Sequence, residues 1–481
     1  MPPLKFQGGI CDVLNLKGMG VLIKIYDEII IGGGICGIMA AKRLIDNDKN
    51  RKIVIIEKGR DLTKRKCPAS GTQSCVHCGI CSITSGMAGA GAFSDGKFNL
   101  GTAYGGTLGE ELGEKKATYY IDEVDRILSE HATDYPELYR SNQELKLKCV
   151  QNNLTLLDMN VRHLGTDKNF KTMFNIIEDI ANSGVEIFSE TTCKKVKREN
   201  DLYRISCDNV EFLAKHIIIA TGRTGAPFVE KFCNDFGIKL HANAVDIGVR
   251  VEMKDIIWRE FSEKIYEPKI LYKTKTYEDK CRMFCFNQGG YVSAESNDGI
   301  VTANGHSYAD LDKKSENCNF AILSLIKFTE PFNQPTKYAT NIAEDMNMIG
   351  DGNVVVQRFG DLMKGRRTTA HRLAKSTVIP TLKATPGDLS MVMPHRHMTN
   401  IIETIYALDK VAPGTANDDT LLYGCENKYY SIRPHFINDK FEVADGIYIL
   451  GDGSGICRGL SQSGAMGIYA ADCICDKVKG N

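Results

Sequence analysis

Four cysteines stand close together early in the chain, at spacings that suit metal or redox chemistry. Cys75, Cys78 and Cys81 recur at every third residue, and Cys67 precedes them beside a proline. Four thiolates could ligate a [4Fe–4S] cluster or a structural zinc ion. A pair of them could instead relay electrons as a dithiol, or all four could simply pack, since free cysteine is often buried. We favour a metal or cluster, because the repeat is more regular than packing requires.

The glycine-rich segment Gly32–Gly37 has the spacing of a phosphate-binding turn. It follows an apolar run of strand length at residues 26–31 and precedes a stretch with helical periodicity. Gly32 would permit the tight turn, Gly34 would let a pyrophosphate approach the backbone, and Gly37 would allow close packing of helix on strand. A second apolar run ends at Glu57, where a carboxylate could accept hydrogen bonds from a ribose. This pattern predicts a dinucleotide site at the helix N-terminus.

Two later strand patterns also end in glycine turns. Residues 216–223 are an apolar run that reaches Thr221 and Gly222, and residues 446–455 reach Gly451 and Asp452 before a helix at 460–477. Asp452 could alternatively be a plain helix cap. Because the first of these motifs starts at residue 26 and the last lies near residue 452, the cofactor domain must be discontinuous.

The elements that carry these motifs predict an α/β fold. We expect a discontinuous Rossmann-like domain, with a parallel sheet and helices, and an inserted mixed α+β domain that covers it. The predicted segments are 22–105 for the first part of the cofactor domain, 106–240 for a helical connection and return strands, 241–440 for the substrate or cap domain, and 441–481 for the last part. Helical periodicity predicts helices at 112–131, 171–182 and 397–408, whereas 241–440 carries long irregular, Gly/Pro-punctuated segments.

Composition and charge narrow the function classes. The 481 residues are 43% hydrophobic, and 60 Lys and Arg balance 60 Asp and Glu. That balance gives no electrostatic reason to expect nucleic acid as a partner, and the apolar runs are too short to span a membrane. The 17 cysteines and the lack of a signal-peptide pattern lead us to expect reduced thiols and a cytoplasmic location.

Four segments resemble the family of uncharacterised FAD-dependent (NAD(FAD)-utilising) dehydrogenases, within the glutathione-reductase-like FAD superfamily. They are Gly86–Asn99, Ala220–Gly225, Asp246–Glu252 and Gly451–Leu460. The resemblance runs from about Tyr26 to the C-terminus, and the Gly-Ala-Gly-Ala-Phe-Ser-Asp-Gly-Lys run within the first segment is its most specific motif. It implies FAD and redox chemistry without naming a substrate.

The resemblance also implies which residues contact FAD. An acid at the position of Asp452 would contact the ribityl chain, and the dipole of the following helix would stabilise negative charge on a reduced flavin. The full expected set is Gly32, Gly34, Gly37, Glu57, Lys58, Gly91, Ser94, Asp95, Gly96, Thr221, Gly222, Gly451, Asp452, Gly459 and Leu460.

Hydride transfer between a flavin and a polarised double bond needs a proton donor or an anion-binding group. Our catalytic candidates are Arg458, Tyr429 and His395; the last two could equally be a strand residue and a surface residue. We therefore predict an FAD-dependent oxidoreductase, a dehydrogenase or reductase, that acts on an unidentified small molecule.

Two other functions compete with this one: a flavoprotein that modifies RNA, and a flavin/iron–sulfur electron-transfer protein. Short basic clusters at Lys64–Lys66 and Lys364–Arg367 are the sequence features that suit RNA. A single dinucleotide fingerprint is present, so the electron donor would be NAD(P)H that docks transiently or a redox protein.

Overall fold

The computed structural model describes residues 13–14, 23–68, 78–94, 96–241, 243, 245–265, 267–297, 299–308, 311–326, 328, 331, 334–429 and 433–479. The strands, numbered in chain order, are β1 (Val13–Leu14), β2 (Ile23–Ile31), β3 (Ile53–Ile56), β4 (Lys97–Asn99), β5 (Leu154–Leu156), β6 (Val161–His163), β7 (Glu186–Phe188), β8 (Cys193–Glu199), β9 (Leu202–Cys207), β10 (Glu211–Ile219), β11 (Leu240–His241), β12 (Val245–Lys254), β13 (Ile270–Lys273), β14 (Lys280–Asn287), β15 (Tyr291–Asn297), β16 (Ile300–His306), β17 (Asn317–Ile326), β18 (Val355–Arg358), β19 (Thr385–Pro386), β20 (Leu421–Tyr429), β21 (Arg433–Pro434), β22 (Glu442–Ala444) and β23 (Ile447–Ile449).

The helices are α1 (Ile35–Asn47), α2 (Leu108–Leu112), α3 (Glu114–His131), α4 (Gln143–Val150), α5 (Gly165–Asn182), α6 (Ala226–Asp235), α7 (Arg259–Ile265), α8 (Pro335–Ile349), α9 (Phe359–Met363), α10 (Ala370–Leu373), α11 (His395–Asp409) and α12 (Leu460–Lys479).

The first sheet has the order β22-β23-β10-β2-β3-β7. The neighbours β23, β10, β2, β3 and β7 run parallel to one another, and their strands come from distant parts of the chain. This strand order confirms the predicted α/β class and its discontinuous, Rossmann-like parallel sheet.

Both faces of this sheet are covered because its central strands end in apolar runs, Ile29–Ile31 in β2 and Ile217–Ile219 in β10. Within β2, Ile30 packs with α1, α3, α5 and α12, whereas Ile29 and Ile31 pack on the other face with α6 and β8–β9. A parallel sheet that is buried on both faces gives continuous apolar runs in the sequence, and such runs were the signal that located these strands.

The second sheet is mixed and has the order β19-β18-β20-β12-β17-β14-β13-β5. Its central strand β12 alternates: Val245, Ile247 and Val249 enter an apolar core with α8 and α11, whereas Asp246 and Arg250 lie on the opposite face and are also buried. Residues 241–440, which look irregular in the sequence, therefore contain most of a large β-sheet. The polar residues on one face of this sheet interrupt the apolar runs that would otherwise mark its strands.

The sequence predicted the presence of helices better than the residues at which they begin and end. The helix predicted from residue 112 is interrupted at Gly113, where φ is +80°, so α2 ends and α3 begins there. The helix predicted at 171–182 starts earlier, at Gly165, and that predicted at 397–408 is α11. Strand β5, from the predicted connection 106–240, pairs with β13 in the second sheet. The domain boundaries themselves stay predictions.

Candidate functional site

A cavity of about 1330 Å³ lies where the turns after β2, β10 and β23 face the second sheet. Its volume exceeds the roughly 300–1,000 Å³ of ordinary ligand pockets. These three strands are parallel neighbours, so their carboxyl ends meet at one edge, as ligand sites in open α/β sheets require. The cavity therefore has room for an elongated ligand and a second molecule.

The glycines at the start of α1 differ in what they permit. At Gly32, φ is +112°, and a side chain there would lie 2.4 Å from the carbonyl oxygen of Ala220. At Gly37, a side chain would lie 2.2 Å from the carbonyl oxygen of Gly32. Gly34 has an ordinary extended backbone, and a Cβ there would come no closer than 4.0 Å to another residue. Gly34 lines the cavity, so a side chain there would occupy ligand space rather than disturb the fold.

The N-terminus of α1 opens onto this cavity. No side chain caps it, and its first turn carries no acidic residue. The amides of the first turn and the positive end of the helix dipole are thus directed at whatever binds beside Gly34. An anion such as a pyrophosphate suits this position.

Glu57 joins three glycine turns. Its Oε1 accepts hydrogen bonds from the backbone N–H of Gly59 (2.8 Å) and Gly86 (3.0 Å), and its Oε2 accepts one from Gly33 (2.9 Å). A carboxylate has about four acceptor positions, so one remains on Oε2 for a ligand hydroxyl. Glu57 therefore organises the turns in addition to lining the cavity.

Three cavity-lining residues carry a buried oxygen atom that has no hydrogen-bond partner among the described residues: Asn99 Oδ1, Thr221 Oγ1 and Asp452 Oδ1. Thr221 and Asp452 lie at the ends of the neighbouring strands β10 and β23. The other oxygen of Asp452 lies 3.4 Å from Arg223 Nη2, and the Asp452 charge raises the pKa of Arg223. Buried polar atoms without a partner are uncommon, and those of Thr221 and Asp452 suit a ligand with hydroxyl groups.

Most of the remaining residues expected to contact a cofactor also line the cavity: Lys58, Gly91, Gly222, Gly451, Gly459 and Leu460. Gly37, Ser94 and Gly96 do not line it. Ser94 Oγ instead donates to the carbonyl of Gly91 and accepts from the amide of Gly96, which shapes the turn. Asp95 lies outside the described residues.

The second sheet contributes cations to the cavity, among them Arg282, which the sequence analysis missed, and Lys428. Arg282 pairs with the buried Asp246, and Arg458 Nη1 lies 3.6 Å from Asp246 Oδ2. Lys428 Nζ lies 3.1 Å from Glu426 Oε1. Arg282, Lys428 and Arg458 line the cavity. The alternation of polar and apolar residues in 245–254 is the sequence feature that could have predicted strand β12 and its polar face.

The three catalytic candidates are not brought together. Arg458 lines the cavity, as described above. His395 begins α11 with an exposed side chain whose Nδ1 lies 3.3 Å from Tyr277 Oη, and it does not line the cavity. Helix α11 turns His397 and Met398 into the core and leaves His395 outside the cavity lining, so a catalytic role for His395 stays a prediction from the sequence. Tyr429 ends β20 opposite Val245, and its side chain is not described.

The described cysteines of the early cluster give the metal hypothesis no support. Cys67 is half-buried, and Cys78 and Cys81 are exposed; Cys75 lies outside the described residues. Within the described part of the chain, no group of three or more His, Cys, Asp or Glu could hold a metal ion. Burial tends to raise the pKa of Cys81, but hydrogen bonds from Thr84 and the charge of Arg65 outweigh it and lower that pKa.

The fold and the site together define a Rossmann-like α/β protein with a large cavity between its two sheets. Residues 244–429, which form most of the second sheet, match the family model described as FAD-dependent protein, C-terminal domain-like. A search of curated proteins finds no match.

Solved structures resemble the chain only distantly. They include a flavoprotein/dehydrogenase from Cytophaga hutchinsonii (11% identity, 95% of this chain and 80% of that chain, TM-score 0.42), glycine oxidase from Bacillus cereus ATCC 14579 (12%, 94% and 95%, 0.37) and halogenase PltM (10%, 95% and 70%, 0.39). TM-scores this low assign neither a fold nor a function. Among the helices of the described ranges, none is long and apolar enough to cross a membrane.

Proposed function

We propose that this chain binds FAD non-covalently in the cavity and acts as an oxidoreductase on a small molecule. The observation that carries the proposal is the N-terminus of α1, which is uncapped and opens onto the cavity at Gly34. A pyrophosphate placed there would accept hydrogen bonds from the first-turn amides and interact with the helix dipole. Gly34 leaves the space that this group needs.

The neighbouring residues fit the rest of an FAD molecule. Glu57 keeps one acceptor position for a ribose hydroxyl, and Asp452 Oδ1 and Thr221 Oγ1 are buried oxygens that hydroxyl groups of a ribityl chain would satisfy. The match of residues 244–429 to an FAD-dependent C-terminal domain supports the same cofactor. Bound FAD would supply the acceptor or donor of a hydride, while the second sheet would cover the cavity and exclude water from it.

A small molecule is a better substrate than RNA for this arrangement. Of the two basic clusters, the first includes Arg65, which is buried and donates to backbone carbonyls of residues 82–89. In the second, Arg366 pairs with Asp361 and Lys364 with Asp418. These three cations are therefore engaged within the protein, and the overall balance of 60 cationic and 60 anionic residues gives no basic footprint for phosphate binding.

Arg458 is our candidate for a substrate-contacting catalytic residue, because it lines the cavity immediately before α12. The electron donor, NAD(P)H or a redox protein, and the cytoplasmic location remain predictions from the sequence.

Gly34→Val tests the proposal. We expect the variant to fold, since the Gly34 backbone is extended and its surroundings are open, but to be purified without flavin because the side chain blocks the pyrophosphate position. Gly101→Val is the matched control: a Cβ there meets no described residue within 4 Å, and Gly101 lies outside the cavity lining. Flavin absorbance per protein is the measurement. Equal flavin content in wild type and Gly34→Val would contradict the proposed site.

A further inference from the structure

One end of the second sheet carries charged side chains on the face that meets the cavity. Strands β12 and β14 begin there, and β17 and β20 end there. Asp246 lies directly opposite Lys428 across the β12–β20 ladder, where cross-strand side chains are about 4.5–5.5 Å apart at Cβ. Arg282 reaches Asp246 from β14. Three separate strands therefore place charged groups at the same end of the sheet.

Arg458 adds a fourth group from the other sheet. It belongs to the turn between β23 and α12, and its guanidinium shares the Asp246 carboxylate with Arg282. Asp246 is fully buried and does not line the cavity, whereas both arginines do. The Asp246 carboxylate thus lies on the protein side of the two guanidinium groups and holds them at the wall of the cavity.

Two buried carboxylates hold the cations of this cluster. Arg250 and Lys428 share Glu426, just as Arg282 and Arg458 share Asp246. All six residues are less than a quarter exposed at their side chains. Cations that are already held in place lose less conformational entropy when a ligand binds to them.

We propose that Arg282 and Arg458, with Lys428 beside them, bind the oxyanion group of a small-molecule substrate, a carboxylate or a phosphate. Guanidinium groups match such planar or tetrahedral oxyanions with paired hydrogen bonds. The site is separate from the pyrophosphate position at Gly34, because its cations come mainly from the second sheet. This inference rests on the proposed function, since it names the substrate class of the same cavity.

Isothermal titration of the purified protein tests the site directly. The probes are succinate, inorganic phosphate and neutral succinamide, at constant ionic strength because surface ion binding is screened by salt. We expect at least one of the two anions to bind and succinamide not to bind. Succinate alone would identify a carboxylate group, and phosphate alone would identify a phosphate group. Failure of both anions to bind would overturn the proposal.

Variants assign the binding to these residues. Arg282→Gln should raise the Kd of the anion about tenfold or more, as expected when a charge-assisted contact is removed, and Arg282→Lys should restore part of the loss. If Arg282→Gln does not fold, Arg458→Gln is measured in the same way. Arg396→Gln is the matched control, because it breaks an Arg–carboxylate pair with Asp279 outside the cavity lining. Equal affinity in wild type and Arg282→Gln would overturn the proposal.

Flavin absorbance of the same samples separates the two hypotheses. Anion binding that depends on Arg282 in a protein without FAD would support the oxyanion site and contradict the proposed cofactor. FAD without anion binding would overturn the oxyanion site alone.

Discussion

Glu57→Gln perturbs the point where three glycine turns meet. In the native protein, the carboxylate accepts three backbone hydrogen bonds of 2.8 to 3.0 Å, from Gly33, Gly59 and Gly86. A glutamine side chain keeps one oxygen and replaces the other with an NH2 donor. At least one backbone N–H would then face a donor in a buried place, because Glu57 is only 7% exposed.

The expected loss of stability can be worked out from these contacts. A buried donor without a partner costs about 1–3 kcal/mol, and the two remaining bonds lose their charge assistance at about 1 kcal/mol each. We therefore expect Glu57→Gln to lower the free energy of unfolding by about 3–5 kcal/mol. The flavin content should also fall, because the Gly33 amide that loses its partner adjoins Gly34.

Urea unfolding followed by circular dichroism measures the stability change, and flavin absorbance measures loading. Asp61→Asn is the control: Asp61 is also a carboxylate that accepts a backbone hydrogen bond, from Thr63, but in an exposed turn, so its loss should stay near about 1 kcal/mol. An unfolding free energy for Glu57→Gln within about 0.5 kcal/mol of wild type, the usual range for surface changes, would refute this reasoning.

Three further predictions concern other groups. His397 is buried, and burial lowers its pKa to about 4. The unfolded chain therefore takes up the proton first as the pH falls below about 6.5, so this group should lower the free energy of unfolding by about 2 kcal/mol between pH 7 and pH 5. Urea unfolding at both pH values should show that His397→Leu removes this loss. Iodoacetamide should modify Cys81 before Cys36, because the pKa of Cys81 is lowered whereas burial raises that of Cys36 to about 12; peptide mass mapping that shows the reverse order would contradict it. NADH or NADPH should reduce the flavin slowly or only at high concentration in anaerobic mixing, because the sequence carries one dinucleotide fingerprint; rapid reduction at micromolar nucleotide would be contrary to this.

The first sheet could be predicted because its signals are local. The parallel strands β2 and β10 each end in a run of three isoleucines, and the glycines that follow them are required by short-range geometry, such as the close approach of Gly32 to the carbonyl of Ala220. Helices α3, α5, α11 and α12 followed from periodicity for the same reason.

The second sheet and its charged cluster could not be predicted in the same way. Asp246, Arg282 and Arg458 lie on three segments that only the folded chain brings together, so their spacing in the sequence carries no information about contact. The buried Asp246 and Arg250 also interrupt the apolar pattern of β12, so this strand lacks the continuous apolar run that located the strands of the first sheet. The position of His395 outside the cavity lining was not predictable, because periodicity shows that α11 exists but not which of its terminal residues faces the cavity.

The most direct test of the account is to identify what the purified protein releases on heat denaturation. Non-covalent binding at the α1 N-terminus predicts that FAD appears in the supernatant, in a ratio near one per chain, and is absent from the precipitate. Release of FMN, of NAD alone or of no cofactor would contradict the central claim.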